Sequence, residues 1–354
     1  MIIRMPDTTT AAVESKLIEL KQNGNAVALG RVLTLVILND QSDPTTVSQV
    51  VSTSSTNEGG STTDHHTGAE TAITAANQAS REHPARILAL TGAPGEQPAL
   101  DAELRIGGDA GASEVVALKL SGLLREQSEA VITPLLVPDA PIVAWWPGHA
   151  PQSPAQDPVG KVAALRITDS NHCKHGRAVL NRLAENYQPG DTDLGWTRLT
   201  GWRAQIAAAL DLPPFEKVTK ATVFGVKDRA SSWLLAGWLA VELKCPTEFI
   251  AVKGAQGITG VILERPSGKI EFHRPDGKTL AISQPGFPPR HIALPLTSLS
   301  EALTEELRRL DADRVYEKVL TEGLDLVTTH DSGLPADTTT LVAIPTAEAG
   351  EDNE

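Results

Sequence analysis

VLTLVIL (Val32 to Leu38), followed by the polar NDQSDP (residues 39–44), decides the fold. An almost unbroken apolar run of this length, cut off by turn-forming residues, reads as a strand covered on both faces. Upstream, Pro6 and Asp7 lead into TTTAAVESKLIELKQ, where Asp7 or Thr8 is placed to cap a helix and Val13, Leu17, Ile18 and Leu20 face inward. Downstream, Gln41 to Thr67 is rich in Ser, Thr, Asp and Gly and reads as a flexible insertion. Helical character returns over 68–82, and RILAL (Arg86 to Leu90) is a second strand. Further strands fit 101–107 and 113–119, with helical pieces at Leu120–Arg125 and before Pro134. PIVAWW (Pro141 to Trp146) is a last apolar strand. Strand, helix, strand in this order predicts a right-handed crossover and an open α/β sheet.

The second half reads differently. Residues 157–212 look mainly helical with loops. VTKATVFG (218–225) is a strand, Ser231 or Ser232 caps a Trp-rich helix, and EFIAV (248–252) is another strand. VILER, KIEFHR and TLAIS follow, separated by PSG and PDG turns, as in an antiparallel meander. In KIEFHR, Ile270 and Phe272 alternate with Lys269, Glu271 and His273, as on a sheet with one wet face. Helices at 298–310 and 313–325 close this part. From Asp331 the chain carries six acidic residues and no Lys or Arg, and reads as a disordered tail. The expected class is α/β in two domains: an N-terminal open α/β sheet (1–165), a C-terminal α+β domain with an antiparallel meander (166–330), and a tail (331–354).

At 354 residues with 41 % hydrophobic and 21 % charged side chains, the chain is long enough for a sizeable core without disulfides or a structural metal. A formal charge of −13 argues against nucleic acid and anionic membranes as partners, because phosphate binding draws on clustered Lys and Arg. Cys173 and Cys245 stand in no metal-ligand spacing and suit a reducing cytosol. No apolar stretch approaches eighteen residues and no signal-peptide pattern opens the chain, so a soluble cytoplasmic protein is expected.

The motif search returns little. No GxGxxG follows the first strand, and GxxxxGK[ST], GxSxG and HExxH are missing. GGDAGAS (107–113) has glycines but no following phosphate-binding helix at the right spacing. His172, Cys173 and His175 lack a fourth ligand nearby and read as a polar loop. No catalytic residue, cofactor or metal is expected. The candidates are contact residues. In SREHPAR, Arg81 and His83 sit at a helix end stopped by Pro84, favoured there by the helix dipole or available to an anion or a partner's carboxylates. Trp145 and Trp146 end a strand and point to opposite faces, one for a core and the other for a domain interface, a partner or plain burial. Asp191, Asp193, Trp196, Arg198, Trp202 and Arg203 crowd one segment, which suits a domain-junction core with a local ion network, a ligand pocket or a partner surface.

VALGRVLTLVIL, ASREHPARIL, PDAPIVAWWPG, DPVGKVAALRITDS and YQPGDTDLGWTRLTGWRAQIAAALD, in that order, resemble the OpcA family in its actinobacterial form. The resemblance implies a non-catalytic partner of glucose-6-phosphate dehydrogenase, needed for that enzyme's activity or assembly at the entry of the oxidative pentose phosphate pathway. Cyanobacterial relatives are linked to thioredoxin control through cysteines, onto which neither Cys173 nor Cys245 maps. The competing reading is a sugar-phosphate- or nucleotide-binding protein, or an enzyme, acting on its own.

Overall fold

The computed structural model describes residues 1–22, 32–39, 68–106, 114–173 and 175–330. The expected insertion at 41–67, GGDAGAS at 107–113 and the acidic tail from 331 lie outside the described residues. In chain order the first elements are β1 (Ile2–Met5), α1 (Thr10–Gln22), β2 (Leu33–Asn39), α2 (Ala69–Ala79), β3 (Ala85–Gly92), β4 (Ala99–Arg105) and β5 (Glu114–Ser121). Then come α3 (Ser128–Ile132), β6 (Ile142–Trp146), β7 (Leu165–Thr168), α4 (Gly176–Glu185), β8 (Asp191–Asp193) and α5 (Leu194–Thr197). The next stretch holds α6 (Thr200–Leu210), β9 (Lys220–Gly225), α7 (Ala230–Leu243), β10 (Thr247–Ala251), β11 (Gly260–Arg265), β12 (Gly268–His273), β13 (Thr279–Gln284) and β14 (Phe287–Ala293). Last are α8 (Leu299–Glu306), α9 (Arg314–Lys318) and β15 (Val327–His330).

These elements form two compact units. The first comprises Met1–Lys174, Val179–Thr197 and Thr297–Glu317, and the second His175–Ala178, Arg198–Leu296 and the chain from Lys318.

In the first unit the sheet order is β1-β4-β5-β3-β2-β6-β7-β8. From β5 to β8 all neighbours are parallel, and β4 and β1 add an antiparallel edge. The apolar runs β2, β3 and β6 occupy the centre, where both faces are covered, as their composition requires. Leu33, Leu35, Ile37, Ile87, Ala89, Val143 and Trp145 point to one face. There Ala72, Ile73, Ala76 and Ala79 of α2 and Ala302 and Leu303 of α8 complete a core. Val36, Leu88, Ala144 and Trp146 point to the other, under Val13, Leu17 and Leu20 of α1. Ile18, expected inward, is 47 % exposed because three inward positions already fill the stripe. Thr9, not Asp7 or Thr8, serves the helix start: its Oγ1 accepts the Ala12 N–H at 3.3 Å. β1, β7 and β8 escaped the sequence reading, which made 157–212 helical. At four, four and three residues they are too short to show a period.

The second unit holds a seven-stranded sheet, β14-β13-β12-β11-β9-β10-β15. β9, β10 and β15 are parallel, β11 to β13 form the expected antiparallel meander against β9, and β14, absent from the sequence reading as is β15, extends it. Ile270 and Phe272 are fully buried while Lys269 is exposed, matching the alternation read in KIEFHR. α7 begins after Arg229 with no side-chain cap. Ser231 and Ser232 lie inside the helix and are buried, since the apolar run that follows supplies enough burial to start it uncapped. β14 is an edge strand whose Pro288 and Pro289 fall where its register with β13 shifts, between the Ile282 and Gln284 pairings, and edges and bulges are the settings in which a sheet tolerates missing N–H donors. The helices expected to close this part divide: Leu299–Glu306 packs within the first unit, through Ala302, Leu303 and Leu307. Among the described residues no helix is long and apolar enough to cross a membrane.

Candidate functional site

From β2 the parallel strands run outward both ways, β3 and β5 to one side and β6, β7 and β8 to the other. In such doubly wound sheets, ligands are taken beyond the carboxyl ends of the strands. The first unit's polar residues gather there, at the ends of β7 and β8.

Asp193 closes β8 and is fully buried. Its Oδ2 accepts from Thr168 Oγ1 (2.6 Å), Ser170 Oγ (2.6 Å) and the Ser170 N–H (3.0 Å), and its Oδ1 accepts from the Gly195 N–H (2.7 Å). Glycine at 195 is required, because a Cβ there would lie 2.8 Å from Asp193 Oδ1. Burial and, next, the nearby Asp169 charge push the Asp193 carboxyl above its ordinary range, against the pull of these donors. Two residues earlier, Asp191 pairs with Arg166 Nε and accepts the Gln188 N–H at 2.8 Å. Arg166 also donates to the carbonyls of Ala163 (3.0 Å) and Pro189 (2.5 Å). Burial raises Asp191 as well, with the Arg166 hydrogen bond opposing it.

Trp196 is 2 % exposed, and its Nε1 donates to Asp313 Oδ2 at 2.8 Å. The other oxygen of Asp313 accepts the N–H groups of Val315 and Tyr316, so one carboxylate ties the indole to the start of α9. Tyr316 lies 6.0 Å from Trp196 and 6.4 Å, edge on, from Tyr187. Glu306 receives the Thr197 hydroxyl, and burial raises its carboxyl. The carboxylates of this cluster accept from donors of their own chain, an arrangement suited to holding strand ends and helix starts together, while the buried Tyr187 hydroxyl has no hydrogen-bond partner among the described residues.

The remaining candidates are dispersed. His83 Nε2 donates to the Thr304 carbonyl at 3.0 Å and Glu82 meets Arg308 at 3.4 Å, so SREHPAR fastens α8 within the first unit, while Arg81 is exposed. Trp145 and Trp146 are 0 % and 4 % exposed and fill two cores, so neither is left outside. The arginine that meets Asp191 is Arg166, and Arg198 and Arg203 belong to the second unit. The expected local ion network is therefore built with a strand residue 25 positions away. Arg198 and Arg203 are partly exposed, and Arg203 Nη2 donates to Thr200 Oγ1 at 3.3 Å. Trp202 is buried in the second unit under the Arg274 guanidinium, whose carbon lies 4.9 Å from the ring centre. Arg166, Thr168, Ser170, Glu306, Asp313 and Tyr316 were missed. Thr168 and Ser170 stood in ITDS, a strand end running into a turn, while Glu306 and Asp313 had no local signal.

Among the described residues no group of three or more His, Cys, Asp or Glu is arranged to hold a metal ion. Cys173 Sγ lies 3.7 Å from the Gly148 carbonyl, and His175 Nδ1 lies 4.0 Å from Asp228. The first unit also has a cavity of about 400 Å³ over β1, β4 and β5, where Arg4, Arg105 and Lys119 face Glu70, Asp101 and Glu103. Arg105 is bidentate to Glu70 (2.7 and 2.6 Å), and Glu103 bridges Arg4 and Arg105.

Several solved structures match this chain at low similarity. KijD10, a 3-ketoreductase from Actinomadura kijaniata, is 9 % identical with a TM-score of 0.41, the match covering 86 % of this chain and 99 % of that one. Glucose-6-phosphate 1-dehydrogenase from Mycobacterium avium is 9 % identical at a TM-score of 0.36, over 85 % of this chain and 94 % of that one. No curated protein matches. The family models are decisive: the glucose-6-phosphate dehydrogenase subunit N-terminal domain matches residues 76–185 and the C-terminal domain of the same subunit matches 189–320. With about two thirds of its length matched in order, the chain belongs to the OpcA family of glucose-6-phosphate dehydrogenase assembly subunits.

Proposed function

We propose that this chain is a cytoplasmic, non-catalytic activator of glucose-6-phosphate dehydrogenase. It binds one conformation or assembly of that enzyme better than another and raises turnover by differential affinity, contributing no chemistry. The observation that carries the reading is the pair of family matches, N-terminal then C-terminal, along one chain. The closed cluster around Asp193 is in keeping with it, because its carboxylates are engaged by neighbouring hydroxyls, amides and Arg166. Of the contact residues expected from sequence, Arg81 is exposed and Arg198 and Arg203 partly so. An activity titration tests the proposal: purified dehydrogenase from the same organism, increasing amounts of this chain, and turnover followed. A saturable rise with a complex on a sizing column is expected. No rise and no complex overturns it.

The cavity over β1, β4 and β5 supports a second reading, a binder of a small charged metabolite, through Arg4 and Lys119. Calorimetry with glucose 6-phosphate or NADP in the absence of the dehydrogenase separates the two.

A further inference from the structure

The chain has six tryptophans, two tyrosines and five phenylalanines, all within the described residues. Two of these rings are exposed, Phe215 at 80 % and Phe287 at 38 %. Both belong to the second unit and arrive at the same end of its sheet. The loop between α6 and β9 is tied to the β11–β12 turn: the Ser267 N–H donates to the Glu216 carboxylate at 2.9 Å, and Arg265 Nη1 donates to the Pro214 carbonyl at 3.0 Å. That turn abuts the next one. A Cβ on Gly268, at φ +128°, would lie 2.8 Å from Cγ of Pro285. Phe287 then opens β14 opposite Gln284. Three loops thereby bring Pro213, Pro214, Phe215, Pro266, Pro285 and Phe287 to one tip.

This tip is ordered before anything binds. The Thr219 N–H donates to the Glu264 carbonyl at 2.8 Å, closing the Phe215 loop onto β11, and each proline fixes its own φ. An apolar side chain held out into water by a fixed loop pays little ordering entropy on docking. Exposed apolar groups gathered at one end of a sheet in this way mark contact sites, and aromatic rings are enriched in them. The rim gives the sign of the partner. Lys217 and Arg290 are exposed and make no ion pair among the described residues, whereas the Glu216 carboxylate, hydrogen-bonded by Ser267, feels the Arg265 guanidinium and Lys269 lies 3.5 Å from Glu264. A chain of net charge −13 thus presents apolar rings beside two unpaired cations.

We propose that the Phe215–Phe287 tip docks into an apolar pocket with an acidic rim on the dehydrogenase. The proposal rests on the activator reading above. It is tested with the full chain, its F215A/F287A and K217E/R290E variants, and the purified dehydrogenase, by calorimetric affinity, activation titration, sizing and thermal melts. The F215A/F287A variant keeps its melting temperature and binds about 30-fold more weakly. K217E/R290E also melts normally, binds more weakly and loses most of the salt dependence of binding. If both variants bind and activate like the parent, the tip is overturned and the activator reading stands. If the parent itself forms no complex and does not activate, both fall. If the parent is a dimer that F215A/F287A converts to monomer with dehydrogenase binding unchanged, the tip belongs to a second copy and the proposal is overturned.

Discussion

Trp145 and Trp146, adjacent in β6, fill two different cores on opposite faces of one sheet. The first is fully buried with α2 and α8, and the second is 4 % exposed in the cluster that contains α1. Neither ring is available to a partner while the first unit is folded.

Trp145→Ala and Trp146→Ala are therefore each expected to cost about 3–5 kcal/mol of stability, the usual range for removing a buried aromatic ring. Denaturant unfolding checks this. A variant of normal stability would place its tryptophan at the surface.

Asp193→Asn should destabilise by about 1–3 kcal/mol, because an amide NH₂ must then face donors from Ser170 or Gly195. Asp191→Asn leaves the buried Arg166 without its counter-charge and should cost more, about 3–5 kcal/mol. Equal melting curves for the two variants would contradict this ranking.

Glu306 carries a definite pH signature. Burial raises its carboxyl in the folded state above the ordinary 4.5, so the folded chain favours the protonated form. The stabilisation this brings is complete below the unfolded value and is lost as pH rises through the folded one. Glu306→Gln, which never ionises, should gain in melting temperature relative to the parent between pH 4 and pH 8. Glu70 and Glu103, lowered chiefly by hydrogen bonds from Arg105 and Arg4, run the opposite way and lose their contribution on acidification. A variant-minus-parent difference that is flat in pH would mean that Glu306 is not desolvated.

Cys173 should be a slow thiol. Burial first, then the charges of Asp193 and Asp169, push it up to about 11. In the native protein at pH 7.5 its alkylation should lag a free thiol by on the order of a hundredfold. Cys245 is raised too, chiefly by burial, but is less enclosed and should label first. Rapid labelling of Cys173, followed by mass spectrometry, would contradict its half-buried placement.

The centre of the first sheet was legible because β2, β3 and β6 write their burial as continuous apolar runs, and the meander because PSG and PDG punctuate it. β7 and β8 were hidden for a physical reason. Leu165–Thr168 and Asp191–Asp193 carry the arginine and aspartates of the buried cluster, and charged residues read as surface until their partners are known. The same holds for the site. Asp193 and Trp196 were picked out as unusual, but their partners Thr168, Ser170 and Asp313 lie up to 117 residues away in sequence, and such pairings leave no mark in a local pattern. Phe215 leaves no mark of its exposure in sequence, where a phenylalanine after two prolines reads as readily as core.

The two prolines of β14 bear on what this chain is allowed to become. An open sheet edge is a template on which a further strand, from any copy, can grow by backbone pairing. Pro288, Pro289 and the register shift at which they stand interrupt that edge, and its residues are largely exposed without inviting such growth. A protein whose work is to help another one assemble is thereby kept from polymerising through this edge, and its stickiness is confined to side chains, where it can be selective.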